Sequence, residues 1–292
     1  MMLRAFPLIL SLALSAHAAE QTIAYGNFAI YVRALDGGKA RKVGLGDWPA
    51  ISPDGTRVAY NTDPEDTKES PRIEVVDLAS GKITAFKNNI PSDNCHHPIW
   101  SPDGKQIAFY LFVDGDWHIG VMNSDGAGFR YVKKSGPNHQ TLWGAAWAAD
   151  GKSLFCQDLD FLYRIDLRGK ELKKWKLSDL FPNAGLNSGA QLAPSPDGKS
   201  LLIDVDMGED IERPDWDGPP PAIWQLDLAT GKATQITKAE LFAWHPAWIN
   251  DHEILCNHTP NGAKQIAIYR LDLKTGKPAL VIKNATDATV SK

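Results

Sequence analysis

The chain has 292 residues, of which 43% are hydrophobic, and can therefore bury a large core in one or two domains. Its 31 basic residues are outnumbered by 35 acidic ones, and the formal net charge of −4 argues against binding to the phosphate backbone of a nucleic acid. We expect a globular protein with no nucleic-acid partner and, beyond residue 18, no segment apolar enough to cross a membrane.

Residues 1–18 have the pattern of a cleaved secretory signal peptide. Arg4 precedes a mostly apolar run at 5–14, and Ala16-His17-Ala18 provides small residues on both sides of a cleavage-site position. The apolar run has about 10 residues, whereas a membrane-spanning helix needs about 20. We expect cleavage after Ala18, and export of the mature chain to the periplasm.

A hairpin pattern recurs along the rest of the chain, in which two short apolar runs flank Ser-Pro-Asp-Gly or a variant of it. The clearest copy is at 97–109, and the others are at 49–60, 146–155, 193–202 and 246–255. Proline sets φ at one turn position, and Asp and Gly tolerate the bent or left-handed positions that follow. Each copy therefore predicts a β-hairpin.

A second family of turns alternates with the first. Its six members are at 35–39, 78–82, 123–126, 167–170, 228–232 and 273–277. Alternating apolar and polar residues precede these turns, as at 268–272, which is the period-two pattern of a strand. Each repeat thus contains four strands, A to D, and four strands at a spacing of about 40 to 50 residues predict the blades of a β-propeller.

The two turn families differ in number, six against five, which leaves one blade without strand A. Residues 21–26 have the pattern of a strand B, and residues 287–292 have the pattern of the missing strand A. We therefore predict an all-β, six-bladed β-propeller whose ring is closed by the C-terminal strand. The predicted domain is 19–292, with blades of about 21–45 plus 287–292, 48–88, 97–134, 145–178, 192–238 and 246–283.

The repeated Ser-Pro-Asp-Gly-Lys-x-Ile-Ala-Phe, followed by Ile-Tyr-x-x-Asp-Leu-x-x-Gly-Lys, resembles the propeller repeat of TolB-like periplasmic proteins. The resemblance implies a periplasmic β-propeller that works through protein contacts at one mouth of its channel. We expect a monomer whose partner is another envelope protein. TolB itself carries an N-terminal α/β domain that contacts an inner-membrane partner, and we expect no such domain between residue 18 and the first blade. Membership of the Tol machinery is therefore left open. Related repeats also occur in peptidase and lyase propellers.

Strand A is innermost in a propeller, so the residues at its start line the channel mouth. Aligning the repeats places Trp, His and carboxylate side chains there: Trp48, His96, His97, Trp143, Gln191, Trp244, His245 and Asp287. Such a composition is typical of a binding surface. Packed imidazoles at the strand start remain an equal alternative for His97 and His245. Further along strand A, Trp100, Trp147 and Trp248 are expected in the core between blades.

The connection at 204–221 is the longest, and loops on a rigid scaffold often carry binding residues. Its candidates, which form a predicted rim, are Asp206, Asp210, Asp215, Trp216 and Asp217. We favour a solvated acidic loop and no cofactor. A cation such as calcium is the alternative, and it would need about six converging oxygens.

No common catalytic motif is present, so we expect a binding protein rather than an enzyme. The alternative is a protein that binds or cleaves an acidic oligosaccharide, similar to oligogalacturonate lyase, with His97, His139, His245 or His258 as metal ligand or base. Three cysteines, Cys95, Cys156 and Cys256, cannot all pair, and we expect buried free thiols.

Overall fold

The structure, a computed structural model, describes residues 20–26, 28–62, 70–86, 90–92, 94–133, 141–209, 211, 213–260 and 265–292. The predicted signal peptide, Asp210 and His139 lie outside these residues. The described chain is nearly all β, with one short helix, α1 (Leu177–Leu180), and one 3-10 helix at Ala239–Leu241. None of its helices has the length and apolar composition needed to cross a bilayer.

Six antiparallel sheets, blades I to VI, form a β-propeller, which confirms the predicted fold. Blades I to III contain, in chain order, β1 (Thr22–Tyr25), β2 (Ala29–Ala34), β3 (Gly37–Leu45); β4 (Asp47–Ile51), β5 (Arg57–Asn61), β6 (Ile73–Asp77), β7 (Ile83–Ala85); β8 (Cys95–Trp100), β9 (Gln106–Val113), β10 (Asp116–Asn123) and β11 (Arg130–Lys133).

Blades IV to VI continue the same order. Their strands are β12 (Trp143–Trp147), β13 (Ser153–Gln157), β14 (Phe161–Asp166), β15 (Glu171–Lys176); β16 (Ala184–Gly185), β17 (Leu192–Pro194), β18 (Ser200–Met207), β19 (Pro221–Asp227), β20 (Ala233–Gln235); β21 (Ala243–Asn250), β22 (Glu253–His258), β23 (Ala267–Asp272) and β24 (Pro278–Lys283). In blade V, both β16 and β17 pair with β18, because β18 extends to Met207 and its far end accepts the extra strand.

The ring closes as predicted. Strand β25 (Thr289–Val290) pairs with β1, and the backbone N–H of Ser291 donates to the carbonyl of Thr22 at 2.9 Å. The Ser291 hydroxyl also accepts a bond from the Thr22 N–H at 2.8 Å. Blade I therefore takes its strand A from one end of the chain and strands B to D from the other, and β1 is paired on both sides like strand B of the other blades.

Hydrogen bonds within the Ser-Pro-Asp-Gly turns explain why this motif recurs. The Ser101 hydroxyl donates to Asp103 Oδ1 at 2.7 Å and accepts from the Gln106 N–H at 2.9 Å. The turns that begin at Ser52 and Ser195 make the same bonds. These turns and the C–D turns lie on one face of the ring, the turn face. The B–C and D–A connections lie on the opposite face, the connection face.

Tryptophans of strand A join neighbouring blades, as expected. The indole N–H of Trp100 donates to the carbonyl of Ala50 in blade II at 2.8 Å. Trp147 and Trp248 bond in the same way to Ile99 and Ala193. Each side chain satisfies its one polar atom; Trp100 and Trp147 are buried between blades, whereas Trp248 is partly exposed.

The three cysteines are buried thiols outside any disulfide. Burial raises the pKa of Cys156 and of Cys256 to about 12, so both thiols are protonated and unreactive at neutral pH.

Candidate functional site

A backbone irregularity marks the start of strand A in most blades. The residues that align with His97 have left-handed backbone conformations: Trp48 (φ 54°), His97 (54°), Gly144 (66°), His245 (50°) and Asp287 (57°). In blades II, III, IV and VI this residue falls at a shift in the pairing register, as in a β-bulge. Such a conformation is strained for a bulky side chain, and strained residues concentrate at functional sites.

The bulges bring one set of side chains together over the channel, which we call the mouth group: Trp48, His97, Gln191, His245 and Asp287. The Trp48 ring stacks on the His97 ring with centroids 4.4 Å apart, and the centroid of the His245 ring lies 5.2 Å from that of Trp48. A cavity of about 70 Å³ lies among these residues. Small-molecule pockets usually measure about 300 to 1,000 Å³. The mouth is therefore closed by side chains and does not form a deep pocket.

His245 holds the polar centre of the mouth group. Its Nδ1 lies 2.6 Å from Asp287 Oδ1, and its Nε2 lies 3.9 Å from Asp204 Oδ2. The Asn257 amide donates to the same Asp287 oxygen at 3.0 Å. Because both ring nitrogens of His245 face carboxylates, the arrangement favours the protonated ring over a general base.

The pKa values of the two mouth imidazoles are shifted in opposite directions. Burial lowers the pKa of His97 to about 4, and the charge of His245 acts in the same direction. Burial also opposes a charge on His245, but the hydrogen bond and charge of Asp287, with the charge of Asp204, raise its pKa above the usual value. Burial alone would raise the pKa of Asp287, yet His245 holds it below its usual value. The mouth therefore places a charged pair beside a neutral imidazole.

Polar side chains of strand B hold the start of strand A in the next blade, and these residues were missed by our sequence analysis. Asn61 Oδ1 accepts a bond from the His97 N–H at 3.3 Å, and Asp204 Oδ2 accepts one from the His245 N–H at 3.2 Å. Asn257 Oδ1 accepts one from the Asp287 N–H at 2.9 Å. In each case strand B of one blade holds strand A of the next. Tyr110 acts similarly, since its hydroxyl accepts from the Ala145 N–H.

These residues share a signature that the sequence contains. Each stands six residues after the position of the turn glycine and follows an apolar run, and Gln157 occupies the same position in blade IV: Asn61, Tyr110, Gln157, Asp204 and Asn257. All are buried, with at most 7% exposed. A polar residue repeated at a buried position needs a partner, which is the pattern that would have identified them.

The other predicted mouth residues lie in two separate aromatic groups. The rings of His96 and Trp143 both lie near Trp117, with centroids 5.3 and 6.2 Å from its own. Trp244 packs at 5.2 Å against Trp216, which also contacts Phe242 at 5.4 Å. The predicted single ring is thus three groups, because the bulge turns consecutive residues such as His96 and His97 in different directions.

The predicted rim loop is shorter than its sequence range indicates. Asp206 lies in β18, and its Oδ2 accepts a bond from the Asn187 amide at 2.9 Å. Asp215 binds the Arg213 guanidinium through both carboxylate oxygens at 2.8 Å. The Trp216 indole N–H donates to the carbonyl of Pro219 at 3.1 Å, and Asp217 is exposed.

His258, a candidate in the lyase alternative, does not join the mouth group. It follows Asn257 in β22 and therefore points to the other face of that sheet, where its ring lies 4.6 Å from Tyr269. Among the described residues, no three or more His, Cys, Asp or Glu side chains are grouped so that they could hold a metal ion.

Exposed apolar side chains are unevenly distributed over the described surface. Seven large apolar residues are exposed, and four of them are on the connection face: Phe28, Leu45, Phe112 and Leu159. The other three, Ile83, Leu172 and Leu280, are on the outermost strands β7, β15 and β24. These three stand within three residues of a C–D turn.

Comparison with known proteins agrees with this architecture. The TolB homologues of Chlorobaculum tepidum and Chlorobium luteolum are 29% and 32% identical to this chain over 118 and 112 residues. These matches cover 38% and 36% of this chain but only 25% and 24% of the relatives. The crystal structure of TolB from Acinetobacter baumannii matches 94% of this chain and 67% of its own, with a TM-score of 0.67 at 17% identity.

The chain is a six-bladed β-propeller similar to TolB. No protein-family model matches the sequence. At 17% identity the likeness to the solved TolB structure shows the fold alone, so the function of this TolB-like propeller has to be argued from its own surface.

Proposed function

We propose that this protein is a non-catalytic binding propeller of the cell envelope and that a partner protein docks on its connection face. The observation that carries the proposal is the concentration of exposed large apolar side chains on that face. Phe28, Leu45 and Leu159 are 53%, 63% and 48% exposed. Apolar surface gathered on one face of a protein is typical of an interface.

The mouth group supplies the centre of such an interface. Trp48 is partly buried and rigidly stacked, and the His245–Asp287 pair beside it offers charge. The aromatic groups around Trp117 and Trp216 lie on the same face. Aromatic residues with polar neighbours provide most of the affinity of protein interfaces, with about 2 kcal/mol or more lost for each truncated hot spot.

The size of the mouth cavity favours a protein partner over a small molecule. A volume of about 70 Å³ is too small to enclose a sugar ring. A surface that presents side chains around a closed mouth suits a partner that covers it from outside. The signal-peptide pattern at 1–18 and the likeness to TolB support an envelope location and an envelope partner.

Site-specific photo-crosslinking in cells tests the proposal. A photoreactive amino acid at Phe28 or Leu159 should capture one defined partner, to be identified by mass spectrometry. Leu172 and Leu280 are matched controls, because they are similarly exposed but lie on outer strands. Equal capture at the control positions, or none at Phe28 and Leu159, would contradict docking on the connection face.

A substitution in the mouth group then measures how much this group contributes to the affinity for the partner. With the captured partner purified, Trp48→Ala should weaken binding by about tenfold or more, as expected for an aromatic hot spot. Ile83→Ala, on an outer strand, should bind as the parent does. Calorimetric affinities for the two variants and the parent give the comparison.

A further inference from the structure

A large groove lies on the turn face between blades V and VI, on the opposite side of the ring from the mouth group. It has a volume of about 510 Å³, within the usual range of about 300 to 1,000 Å³ for ligand pockets. Blade V contributes Ser200, Gln225 and Asp227 to its lining, and blade VI contributes Trp248 and Asp251. All of these side chains are among the described residues.

The corresponding space between blades II and III is filled by an arginine. The Arg57 guanidinium lies over the Trp100 ring, 4.5 Å from the ring centroid, and donates to the carbonyl of Gly104 at 3.1 Å. A guanidinium over an indole face is a favourable cation–π contact. Trp100 is only 6% exposed beneath this cover.

Blade V has a serine where blade II has Arg57. The two residues are equivalent, because Ser200 pairs with Asp227 as Arg57 pairs with Asp77. Trp248 is likewise the counterpart of Trp100, since each indole N–H donates at 2.8 Å to a carbonyl of the preceding blade. The Ser200 side chain is too short to cover a ring, and Trp248 remains partly exposed in the groove.

The charges around the groove favour a cation. Its lining includes three carboxylates, of Asp197, Asp227 and Asp251, against the ammonium groups of Lys199 and Lys232. Lys199 is already 2.9 Å from Asp197. Asp227 uses Oδ1 to accept bonds from the turn at Ala229 and Thr230, which leaves Oδ2 without a hydrogen bond to the described residues.

We propose that this groove binds a guanidinium group, as an arginine side chain of a peptide or partner protein. The guanidinium would lie above the Trp248 ring, as the Arg57 guanidinium lies above the Trp100 ring. The carboxylate of Asp227 would accept hydrogen bonds from the N–H groups of the bound guanidinium. The planar, weakly hydrated guanidinium suits a stacked site better than an ammonium does. The proposal does not depend on docking at the connection face, since no residue is shared between the two sites.

Binding of a small arginine probe tests the site directly. The probe is Nα-acetyl-arginine methylamide, and the matched control is its citrulline analogue, which has nearly the same shape but no charge. We expect the arginine probe to shift the Trp248 indole N–H signal in a saturable way in NMR spectra, assigned through Trp248→Phe. The citrulline analogue should produce no saturable shift, and the lysine analogue should bind several-fold more weakly.

Two variants with matched controls locate the bound group. Ser200→Arg should fill the groove from within and abolish the shift, whereas Gln106→Arg, at the equivalent position of blade III, should leave it unchanged. Asp227→Asn keeps an oxygen for the turn but removes the charge, and should weaken binding by about tenfold. Asp77→Asn makes the same change in blade II and should have no effect on the probe.

Thermal melting shows whether each variant is folded before binding is compared. Equal shifts with the arginine and citrulline probes would overturn the proposal, as would undiminished binding by folded Ser200→Arg. A saturable shift with N-acetylglucosamine in place of the arginine probe would make the groove a saccharide site instead.

Discussion

The two faces of the ring meet similar backbone requirements in different ways. On the turn face, Ser-Pro-Asp-Gly makes the same hydrogen bonds in blades II, III and V. On the connection face, the strand starts of blades I, III, IV and VI each donate one backbone N–H to a side chain of the preceding blade, which is Asn257, Asn61, Tyr110 or Asp204. Asn, Asp and Tyr can each provide this one acceptor oxygen, so the side chains on this face can differ between blades while the backbone conformation stays the same. That is the condition under which a scaffold acquires a specific surface.

Removing residues 287–292 tests both faces at once and should have the largest effect. It eliminates β25 and the Asp287 carboxylate, and it leaves the inner edge of β1 unpaired. We expect a loss of more than about 4 kcal/mol in the free energy of unfolding, or aggregation of the truncated protein. Urea denaturation measures the loss. Removing Lys292 alone is the control and should cost far less, so equal stability of the parent and the six-residue truncation would refute closure by β25.

Asn257→Leu tests the connection face by itself. The change leaves the buried N–H of Asp287 without its acceptor and takes a donor from the Asp287 carboxylate. We expect a loss of about 2 to 4 kcal/mol. On the turn face, Asp103→Ala removes bonds that water can replace, and it should cost about 1 kcal/mol. Denaturation of both variants under the same conditions gives the comparison, and a larger loss for Asp103→Ala would reverse our account of the two faces.

The mouth imidazoles provide a finer test, because they should titrate on opposite sides of the usual histidine pKa. NMR titration should place the pKa of His97 at about 4 and the pKa of His245 above 6.5. Asp287→Asn removes the carboxylate beside His245 and should lower that residue's pKa. An unchanged His245 pKa in this variant would show that the pair does not hold the proton.

Stability should follow these shifts with opposite signs. The raised pKa of His245 contributes stability below the unfolded value of about 6.5, and this contribution is lost as the pH rises through the folded pKa. The lowered pKa of His97 contributes stability above about 6.5, which is lost as the pH falls towards about 4. Urea denaturation of His245→Asn and the parent between pH 5 and about 8 should therefore show their difference shrinking as the pH rises.

The repeated sequence pattern was enough to predict six blades and closure by the C-terminal strand, because turn chemistry and strand period are local properties. Alignment of the repeats also placed Trp48, His97, His245 and Asp287 at equivalent positions, which their shared backbone conformation supports. Alignment of the repeats could not predict that the mouth residues divide into three separate groups. A bulge redirects consecutive side chains, and its effect on His96 and His97 depends on contacts with Trp117 and Trp48 from other strands.

The closure of blade I also sets the order in which the protein can be completed. Thr22 and Ser291, which bond across the closing strands, are 269 positions apart, so β1 is synthesised long before its partner strand β25 exists. A chain released early by the ribosome keeps an open edge on its first blade. Such an edge is readily recognised by chaperones and proteases, so closure by β25 also protects blade I from them.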